Sequence, residues 1–189
     1  EYNPDMIGRL VTIRDAVDGG VNLLFSYDSA GRITEINAGT DRLFSNSRET
    51  SWGYQYDDAH GWLQSYTDPA GFVWTLTRDA IGRVIGLQDP NGTLTTYEYD
   101  VDGNVVRIVH AAGTEAQTTE QFAYDANGNV IQYVAADGTV TQYGYDASNR
   151  LIEIREAVGT SLERVSTYEY DAAGHVTRTV DPLGRVTVY

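Results

Sequence analysis

Apolar and polar residues alternate in short runs along most of the chain, and turn-forming residues close each run. In one such run, Ile152 and Ile154 alternate with Glu153 and Arg155. A period of two residues predicts a β-strand with one apolar face. In the middle third of the chain the turn glycines recur every 10 or 11 residues, which leaves strands of about six or seven residues. Because a helix of useful length does not fit between such turns, the pattern predicts an all-β fold of antiparallel hairpins.

Two kinds of turn alternate in this pattern. The first has the form Asp-x-x-Gly, as in "DAAG" at Asp171, and the second is often Asp-Pro-x-Gly, as in "DPNG" at Asp89. This spacing predicts a type I turn followed by a left-handed Gly, which closes a bulged hairpin. Asn149 replaces that Gly in one copy, and Asn tolerates a positive φ better than most residues. In three copies the second turn relaxes to "HAAG", "AADG" or "EAVG".

Aromatic residues at positions i and i+2 precede most of the first turns. They share one face of their strand, so stacked copies are expected to form two aromatic columns across the sheet, each cross-strand pair contributing about 0.2–1 kcal/mol. The pairs are Phe25 and Tyr27, Tyr54 and Tyr56, Tyr97 and Tyr99, Phe122 and Tyr124, Tyr143 and Tyr145, and Tyr168 and Tyr170. Leu76 and Arg78 break the pattern, so a local irregularity or an interface is expected there.

The strand after each first turn is expected to carry its apolar side chains at its second and fourth positions. These pairs are Ile85 and Leu87, Val106 and Ile108, Ile131 and Tyr133, and Ile152 and Ile154. Polar residues between them, such as Arg107, are expected to face the other way.

The pattern is a tandem repeat that runs from end to end. Successive copies lie 21 to 29 residues apart, so residues 1–189 are predicted to form a single array of about eight repeats without a second domain. The copies are anchored at Asp5, Asp28, Asp57, Asp79, Asp100, Asp125, Asp146 and Asp171. The motif residues, predicted to be structural, are Tyr27, Asp28, Gly31, Tyr56, Asp57, Asp79, Gly82, Tyr97, Tyr99, Asp100, Gly103, Tyr124, Asp125, Gly128, Tyr143, Tyr145, Asp146, Asn149, Tyr168, Tyr170, Asp171 and Gly174. Because twisted sheets of more than about ten strands curl, split or close, the array is expected to be strongly curved.

The composition of the chain argues against several classes of partner. There are 27 acidic and 13 basic residues, all of the latter Arg, and the net charge is −14. Such acidity argues against nucleic acid or an anionic membrane as a partner. The hydrophobic fraction of 41% is enough to bury a core. The chain has no Cys, and no apolar run approaches the roughly 18 residues of a membrane span. Its N-terminus does not resemble a signal peptide.

Candidate chemistry is sparse. The acidic pairs at Asp100 and Asp125 suggest a cation site, but an EF-hand loop needs Gly at its sixth and Glu at its twelfth position, and both loops have other residues there. His60, His110 and His175 have no metal-binding spacing. No nucleophile elbow and no phosphate loop are present. We therefore predict no catalytic residue, no metal and no cofactor.

Three tryptophans, Trp52, Trp62 and Trp74, cluster in the irregular part of the chain. Aromatic rings of this kind form either a sugar-stacking surface or cross-strand packing. The sequence favours packing and leaves a carbohydrate-binding or adhesion module as the alternative function.

The repeated motif Tyr-x-Tyr-Asp-x-x-Gly-[Arg/Asn]-[Leu/Ile/Val], followed by Asp-Pro-x-Gly, resembles the YD-repeat or Rhs-repeat family. It reads "YEYDVDGNVV", "LTRDAIGRVIGLQDPNG" and "FSYDSAGRITEI" in this chain, and the resemblance covers essentially its whole length. The resemblance implies a spiralling antiparallel sheet that closes into a hollow β-shell. In bacterial polymorphic toxins and toxin-complex proteins such shells enclose a C-terminal toxin, and the teneurin YD shell is a more distant relative.

For this chain the resemblance implies a non-catalytic wall segment of a longer shell, secreted or delivered to a target cell. The expected partners are the rest of the shell and a C-terminal toxin or effector cargo, with no nucleic acid and no membrane insertion. The family's closing segment, which cuts off the toxin by aspartate-dependent self-cleavage, has no counterpart in this sequence. The end strands are expected to be exposed edges that self-associate or pair with missing neighbours.

Overall fold

The structure, a computed structural model, describes residues 2–4, 9–13, 22–39 and 50–189. The repeat anchor Asp5 and most of the irregular stretch before Trp52 lie outside the described residues. The chain divides into two compact units, Glu1–Thr93 and Leu94–Tyr189. Every regular element among the described residues is a β-strand, three to seven residues long. The predicted all-β fold class is confirmed.

In unit 1, each strand pairs antiparallel with the next along the chain. The strands are β1 (Tyr2–Pro4), β2 (Leu10–Ile13), β3 (Asn22–Tyr27), β4 (Ile33–Gly39), β5 (Thr50–Tyr56), β6 (Leu63–Thr67), β7 (Val73–Arg78) and β8 (Val84–Gln88).

Unit 2 has the same antiparallel order. Its strands are β9 (Leu94–Tyr99), β10 (Val105–His110), β11 (Thr118–Tyr124), β12 (Val130–Val134), β13 (Val140–Tyr145), β14 (Leu151–Glu156), β15 (Arg164–Tyr170), β16 (Val176–Val180) and β17 (Val186–Val188). That the whole chain is one uninterrupted array of eight repeats stays a prediction.

The hairpin turns have the predicted geometry. In the turn at Asp68, the Gly71 amide donates to the Asp68 carbonyl at 2.9 Å and the Asp68 amide donates to the Phe72 carbonyl at 2.9 Å. Gly71 has a φ of 84°. This is a type I turn closed by a left-handed residue. The "AADG" turn is closed in the same way, because the Ala135 amide donates to the Thr139 carbonyl at 2.9 Å.

Two of the predicted second turns are longer loops. "HAAG" and "EAVG" open the segments 111–117 and 157–163, which share one hydrogen-bonding scheme. Ala111 and Ala157 take positive φ values of 49° and 52°, and the hydroxyl of the Thr three residues later donates back to the Ala carbonyl at 2.8 Å and 2.7 Å. These segments are seven-residue loops rather than four-residue turns. The seven-residue loops account for the longer repeat spacing there.

A β-bulge follows every turn of the first kind for which the strand register is described, and none follows the described Asp-Pro-x-Gly turns at Asp68 and Asp181. In the β9–β10 hairpin, Tyr99 lies opposite Val105 and Glu98 opposite Arg107, so Val106 is an extra residue. Ile85, Ile131 and Ile152 are the extra residues of their own hairpins. The predicted second-and-fourth pairing was therefore wrong, and the first and fourth positions face the aromatic pair. A bulge shifts the alternation by one residue without changing the composition of the strand.

The expectation of a buried core was wrong for the described residues. Val109, 5% exposed, is the one buried hydrophobic residue among them. A single layer of strands has no second layer against which to bury its apolar face. The aromatic and aliphatic side chains are half-buried against their cross-strand neighbours instead. Turn residues such as Val101, 98% exposed, are fully in solvent.

Candidate functional site

The motif Asp holds its own turn together. One carboxylate oxygen of Asp146, Oδ1, accepts hydrogen bonds from the backbone amides of Ser148 and Arg150, both at 2.9 Å. The other oxygen, Oδ2, accepts from Arg150 Nε at 2.7 Å. The two amide bonds recur at Asp28, Asp79, Asp100, Asp125, Asp171 and Asp181. The motif Asp is thus an acceptor for its own turn.

The residue after the turn Gly completes the arrangement. It is Arg in four of the described turns, and Asn104, Asn129 and His175 take the same place and bond to the same carboxylate oxygen at 2.9–3.0 Å. Backbone hydrogen bonding from Arg150 lowers the pKa of Asp146. At Asp125 the largest cause of the lowered pKa is the side-chain hydrogen bond from Asn129. The carboxylates of Asp125 and Asp146 are therefore ionised at neutral pH in the folded state.

In five of the described repeats, the Tyr before the motif Asp binds the preceding repeat. The Tyr170 hydroxyl donates to the Leu151 carbonyl at 2.8 Å, which lies directly after the previous turn. Equivalent bonds join Tyr27 to Leu10, Tyr56 to Ile33, Tyr124 to Val105 and Tyr145 to Val130. Burial raises the pKa of Tyr56, Tyr124 and Tyr145, so these hydroxyls stay protonated donors.

The Arg of one repeat covers this Tyr of the next. The guanidinium carbon of Arg150 lies 4.9 Å from the ring centre of Tyr170, and its Nη1 donates to the Asp171 carbonyl at 2.8 Å. Arg9 over Tyr27 and Arg32 over Tyr56 repeat the contact at 4.7 Å. We call this set of contacts the inter-repeat lock: turn Asp, following Arg or Asn, and the next Tyr with its carbonyl acceptor. It joins two repeats that share no buried core.

Arg78 replaces the motif Tyr in one copy without disturbing the strands. Its Nε donates to the Leu63 carbonyl at 3.3 Å, the acceptor a Tyr hydroxyl would use, and its Nη1 donates to the Gly82 carbonyl at 2.8 Å. β7 pairs with both neighbours in the usual register. The expected irregularity at this copy was therefore wrong, and an interface there remains a prediction.

Trp62 stands where other copies have Arg, so the aromatic and cationic residues have exchanged places around this lock. The turn before it is one residue longer, because the Asp57 amide bonds to the Trp62 carbonyl at 2.9 Å. The indole covers the next turn: a Cβ built on Gly82 would lie 2.9 Å from Trp62 Cε2. Apart from the two unusual residues themselves, no sequence pattern signals this exchange.

Two of the three tryptophans are stacked on other rings of unit 1. Trp74 stacks on Tyr66 across the β6–β7 pair, with ring centres 4.9 Å apart and an interplanar angle of 6°. Trp62 stacks on His60 at 4.2 Å. Trp52 lies opposite Ile36 in the β4–β5 pair. The contacts of Trp74 and Trp52 are the cross-strand packing that the sequence favoured, whereas Trp62 stacks on a ring of its own turn.

The candidate metal residues are engaged in the turns. The carboxylate oxygens of Asp100 and Asp125 accept hydrogen bonds from a backbone amide of their own turn and from the side chain of the Asn that follows the turn Gly. Within the described part of the chain, no group of three or more His, Asp or Glu side chains is placed to hold a metal ion. The side chain of His175 is 79% exposed beside Asp171.

Sequence reasoning missed one polar network. The Tyr133 hydroxyl donates to Glu120 Oε2 at 2.9 Å, and His110 Nε2 lies 2.9 Å from Glu120 Oε1. Glu120 stands outside the repeated motif, after the seven-residue loop, so no periodic signal marks it. Its neighbours line an open aromatic cleft.

Asn149 provides a test of the turn geometry. Its φ is 59°, and its Oδ1 accepts from the Asn127 and Asn129 side-chain amides at 2.9 Å and 3.1 Å. We expect Asn149→Ala to lower the free energy of unfolding by about 1–2 kcal/mol, since it loses both bonds and keeps the strained φ.

The matched control for this position is Asn149→Gly, which loses the same bonds and relieves the strain. It should be about 1 kcal/mol more stable than Asn149→Ala in urea unfolding. Equal stability of the Ala and Gly variants would show that backbone strain at this position is unimportant.

The turn carboxylates predict acid sensitivity. Because the pKa of Asp146 is lowered on folding, the stabilisation it contributes is present above the ordinary Asp pKa of about 4 and is lost as pH falls through the folded pKa. Protonation also relieves the repulsion of a −14 charge, so the test compares wild type with Asp146→Asn.

In thermal unfolding between pH 7 and pH 2.5, the stability difference between wild type and Asp146→Asn should shrink as the pH falls. A difference that is constant over this range would mean that the Asp146 carboxylate contributes no linked stability.

Comparison with known proteins agrees with the repeat architecture. The sequence profile of the RHS repeat matches residues 56–94, 78–115, 124–161 and 160–186, more than half of the chain. No curated protein sequence matches. No helix that is long and apolar enough to cross a membrane occurs in the described residues.

Several solved structures are similar in fold. The crystal structure of TcdB2-TccC3 without the hypervariable C-terminal region is 17% identical with a TM-score of 0.63. That of TcdB2-TccC3 is 18% identical with a TM-score of 0.61, and the Tc holotoxin pore of Photorhabdus luminescens is 18% identical with a TM-score of 0.59. Each match covers 95% of this chain and 11% of the other. The chain thus spans about a tenth of these relatives' length.

Proposed function

The chain belongs to the RHS-repeat family, and on that basis we propose that it is a segment of the wall of an Rhs/YD β-shell. In this proposal the module is non-catalytic and structural. Its task is to enclose or present a C-terminal toxin or effector that is carried by the same polypeptide. Containment would be steric, with stiffness supplied by strand pairing and by the inter-repeat locks.

The inter-repeat lock is the observation that carries the proposal. Each lock is made from residues of two successive repeats, as in the Arg150–Tyr170 stack and the Tyr170–Leu151 hydrogen bond. Since hardly any described side chain is fully buried, a repeat is stabilised chiefly by its neighbours rather than by its own core. Such an arrangement allows repeats to be added one after another to a sheet, as the wall of a shell requires. It does not by itself form a catalytic site.

The open edge of unit 2 supports the same role. β17 pairs with β16 on one side, and Val186 and Val188 are 50% and 73% exposed. An exposed apolar edge strand is prone to pair with another strand. We propose that further wall of the same shell covers this edge, and that in its absence the chain self-associates there.

The partners and location follow from the wall role. We propose the rest of the shell and an enclosed effector as partners, and a bacterial protein that is secreted or delivered to a target cell. The fold similarity to the TcdB2-TccC3 complexes supports a toxin-complex setting. No partnership with nucleic acid or insertion into a membrane is proposed.

Protease protection tests the proposal. The polypeptide encoded by the complete gene, including whatever follows Tyr189, is treated with a nonspecific protease, and survival of the C-terminal segment is followed by mass spectrometry. We expect the segment to survive in wild type and to be degraded when the wall is loosened by Tyr170→Ala. Equal degradation in both proteins, with the repeats intact, would refute containment.

Adhesion or carbohydrate binding remains the alternative function. It would use Trp52, Trp62 and Trp74, of which two are stacked on rings of their own unit. A glycan array with single Trp→Ala variants separates the two functions, because wall integrity and sugar binding would respond to different residues.

A further inference from the structure

Unit 2 contains an open cleft lined by aromatic rings on one face of strands β11 to β13. Its volume is about 440 Å³, and its lining residues are Glu120, Phe122, Val130, Tyr133, Tyr143 and Tyr145. The rings of Phe122 and Tyr133 form a cross-strand pair with centres 5.1 Å apart and a tilt of 33°. The cleft therefore presents mainly aromatic surface, with Val130 as its one aliphatic lining residue.

One carboxylate lies among these rings. Glu120 accepts from the Tyr133 hydroxyl and lies beside His110, and its side chain is 26% exposed. The hydrogen bond from Tyr133, followed by that from His110, lowers the pKa of Glu120. The cleft thus combines a negative charge with aromatic surface, and none of its lining residues is basic.

The chain already shows which group fits such a surface. At three inter-repeat locks a guanidinium lies 4.7–4.9 Å from the ring centre of a motif Tyr. At the two locks of Tyr124 and Tyr145 the preceding repeat supplies Asn104 and Asn129 instead of Arg. Neither Asn can provide a cation, so the rings at this part of unit 2 have no guanidinium from that position.

Most of the Arg side chains in the described part of the chain already have acidic partners. Eight of them form ion pairs with Asp or Glu, most of them in their own turn or hairpin. The net charge of −14 attracts basic partners, and salt screens this attraction beyond about one Debye length. The negative charge and the aromatic rings of the cleft therefore both favour a cation as the occupant.

We propose that this cleft, the Glu120 cleft, binds an arginine side chain of a basic polypeptide segment. The guanidinium would stack on the rings of Tyr143 or Phe122 and approach the Glu120 carboxylate, as cation–π and charge-assisted contacts require. The site belongs to unit 2 and does not depend on whether the shell encloses an effector. An experiment that refutes arginine binding at the cleft would therefore leave the containment of an effector untouched, and the reverse also holds.

The test uses fluorescence polarisation with a labelled peptide of alternating Arg and Gly, in 0.15 M salt, and the 189-residue chain. A peptide in which citrulline replaces every Arg keeps the shape and removes the charge. We expect the citrulline peptide to bind at least about tenfold more weakly, as expected for the loss of cation–π and ionic contacts.

Two cleft variants and one control locate the binding. Glu120→Gln keeps an acceptor for Tyr133 and removes the charge, and Tyr143→Leu removes a ring; each should weaken binding about tenfold. Glu115→Gln removes the same charge from the loop 111–117 outside the cleft and should change binding less than about twofold. Circular dichroism shows whether each variant is folded. If Glu120→Gln does not fold, the binding measured with Tyr143→Leu decides whether the peptide binds at the cleft.

Three results would overturn the site. Equal binding of the Arg and citrulline peptides would exclude a role for the cation. If Glu115→Gln and Glu120→Gln weakened binding of the Arg peptide equally, the binding would be a general attraction to an acidic protein and not a property of the cleft. Binding of a glycan that depends on Tyr143, without binding of the Arg peptide, would assign the cleft to a sugar.

Discussion

The double variant Tyr168→Ala/Tyr170→Ala is expected to lose about 3 kcal/mol of unfolding free energy, at the lower end of aromatic truncations because both rings are half-buried. Tyr170 loses its hydrogen bond to the Leu151 carbonyl and the stack under Arg150. Tyr168 loses its place opposite Thr179 in the β15–β16 pair. Urea unfolding, followed by tryptophan fluorescence and circular dichroism, measures the change.

Glu169 is the matched control, because it lies between the two tyrosines on the opposite face of β15. Its carboxylate forms an ion pair with Arg178 and is 57% exposed. Glu169→Ala should change stability by no more than about 0.5 kcal/mol, as exposed ion pairs contribute little. If the control were as damaging as the double variant, the aromatic columns and the inter-repeat lock would not be what stabilises the sheet.

Gly82→Ala should be the most damaging single substitution at a turn, with a loss of about 2–4 kcal/mol. Gly82 has a φ of 91°, which an L-residue adopts with strain. The added methyl group would also lie 2.9 Å from Cε2 and Cζ2 of Trp62. Because these are ring atoms of a stacked indole, the contact is relieved only by moving the ring from its place over the turn.

Gly71→Ala separates the two causes. Gly71 has a φ of 84°, and an added methyl group there would have no neighbouring atom within 4 Å. This variant therefore carries the backbone strain alone, about 1–2 kcal/mol. Thermal and urea unfolding of both variants give the difference, which measures the packing of Trp62. Equal losses would show that the indole moves aside without cost.

The strands and turns of this chain are predictable from sequence because both depend on local chemistry. Gly or Asn at a positive φ and Asp at the head of a type I turn are requirements of a few adjacent residues, and they repeat. The register after the turn could not be predicted. Val106 and Ile131 look like ordinary alternating strand residues, and the bulge that displaces them appears only when two strands are paired.

The motif residues were identified from repetition, but their contacts were not. That Tyr170 bonds to Leu151, nineteen residues earlier, is a relation between repeats and leaves no mark within either one. The same holds for Arg78 and Trp62, which exchange roles across a lock. The absence of a buried core among the described residues was missed because composition counts apolar residues and does not show whether a second layer covers them.

If residues 1–189 are part of a shell wall, electron cryomicroscopy of the complete gene product should show them within that wall. We predict continuous strand pairing beyond β17, the inter-repeat locks in place, and a cavity that holds density for the C-terminal segment. A map in which both faces of these strands are open to solvent and the β17 edge is unpaired would contradict it.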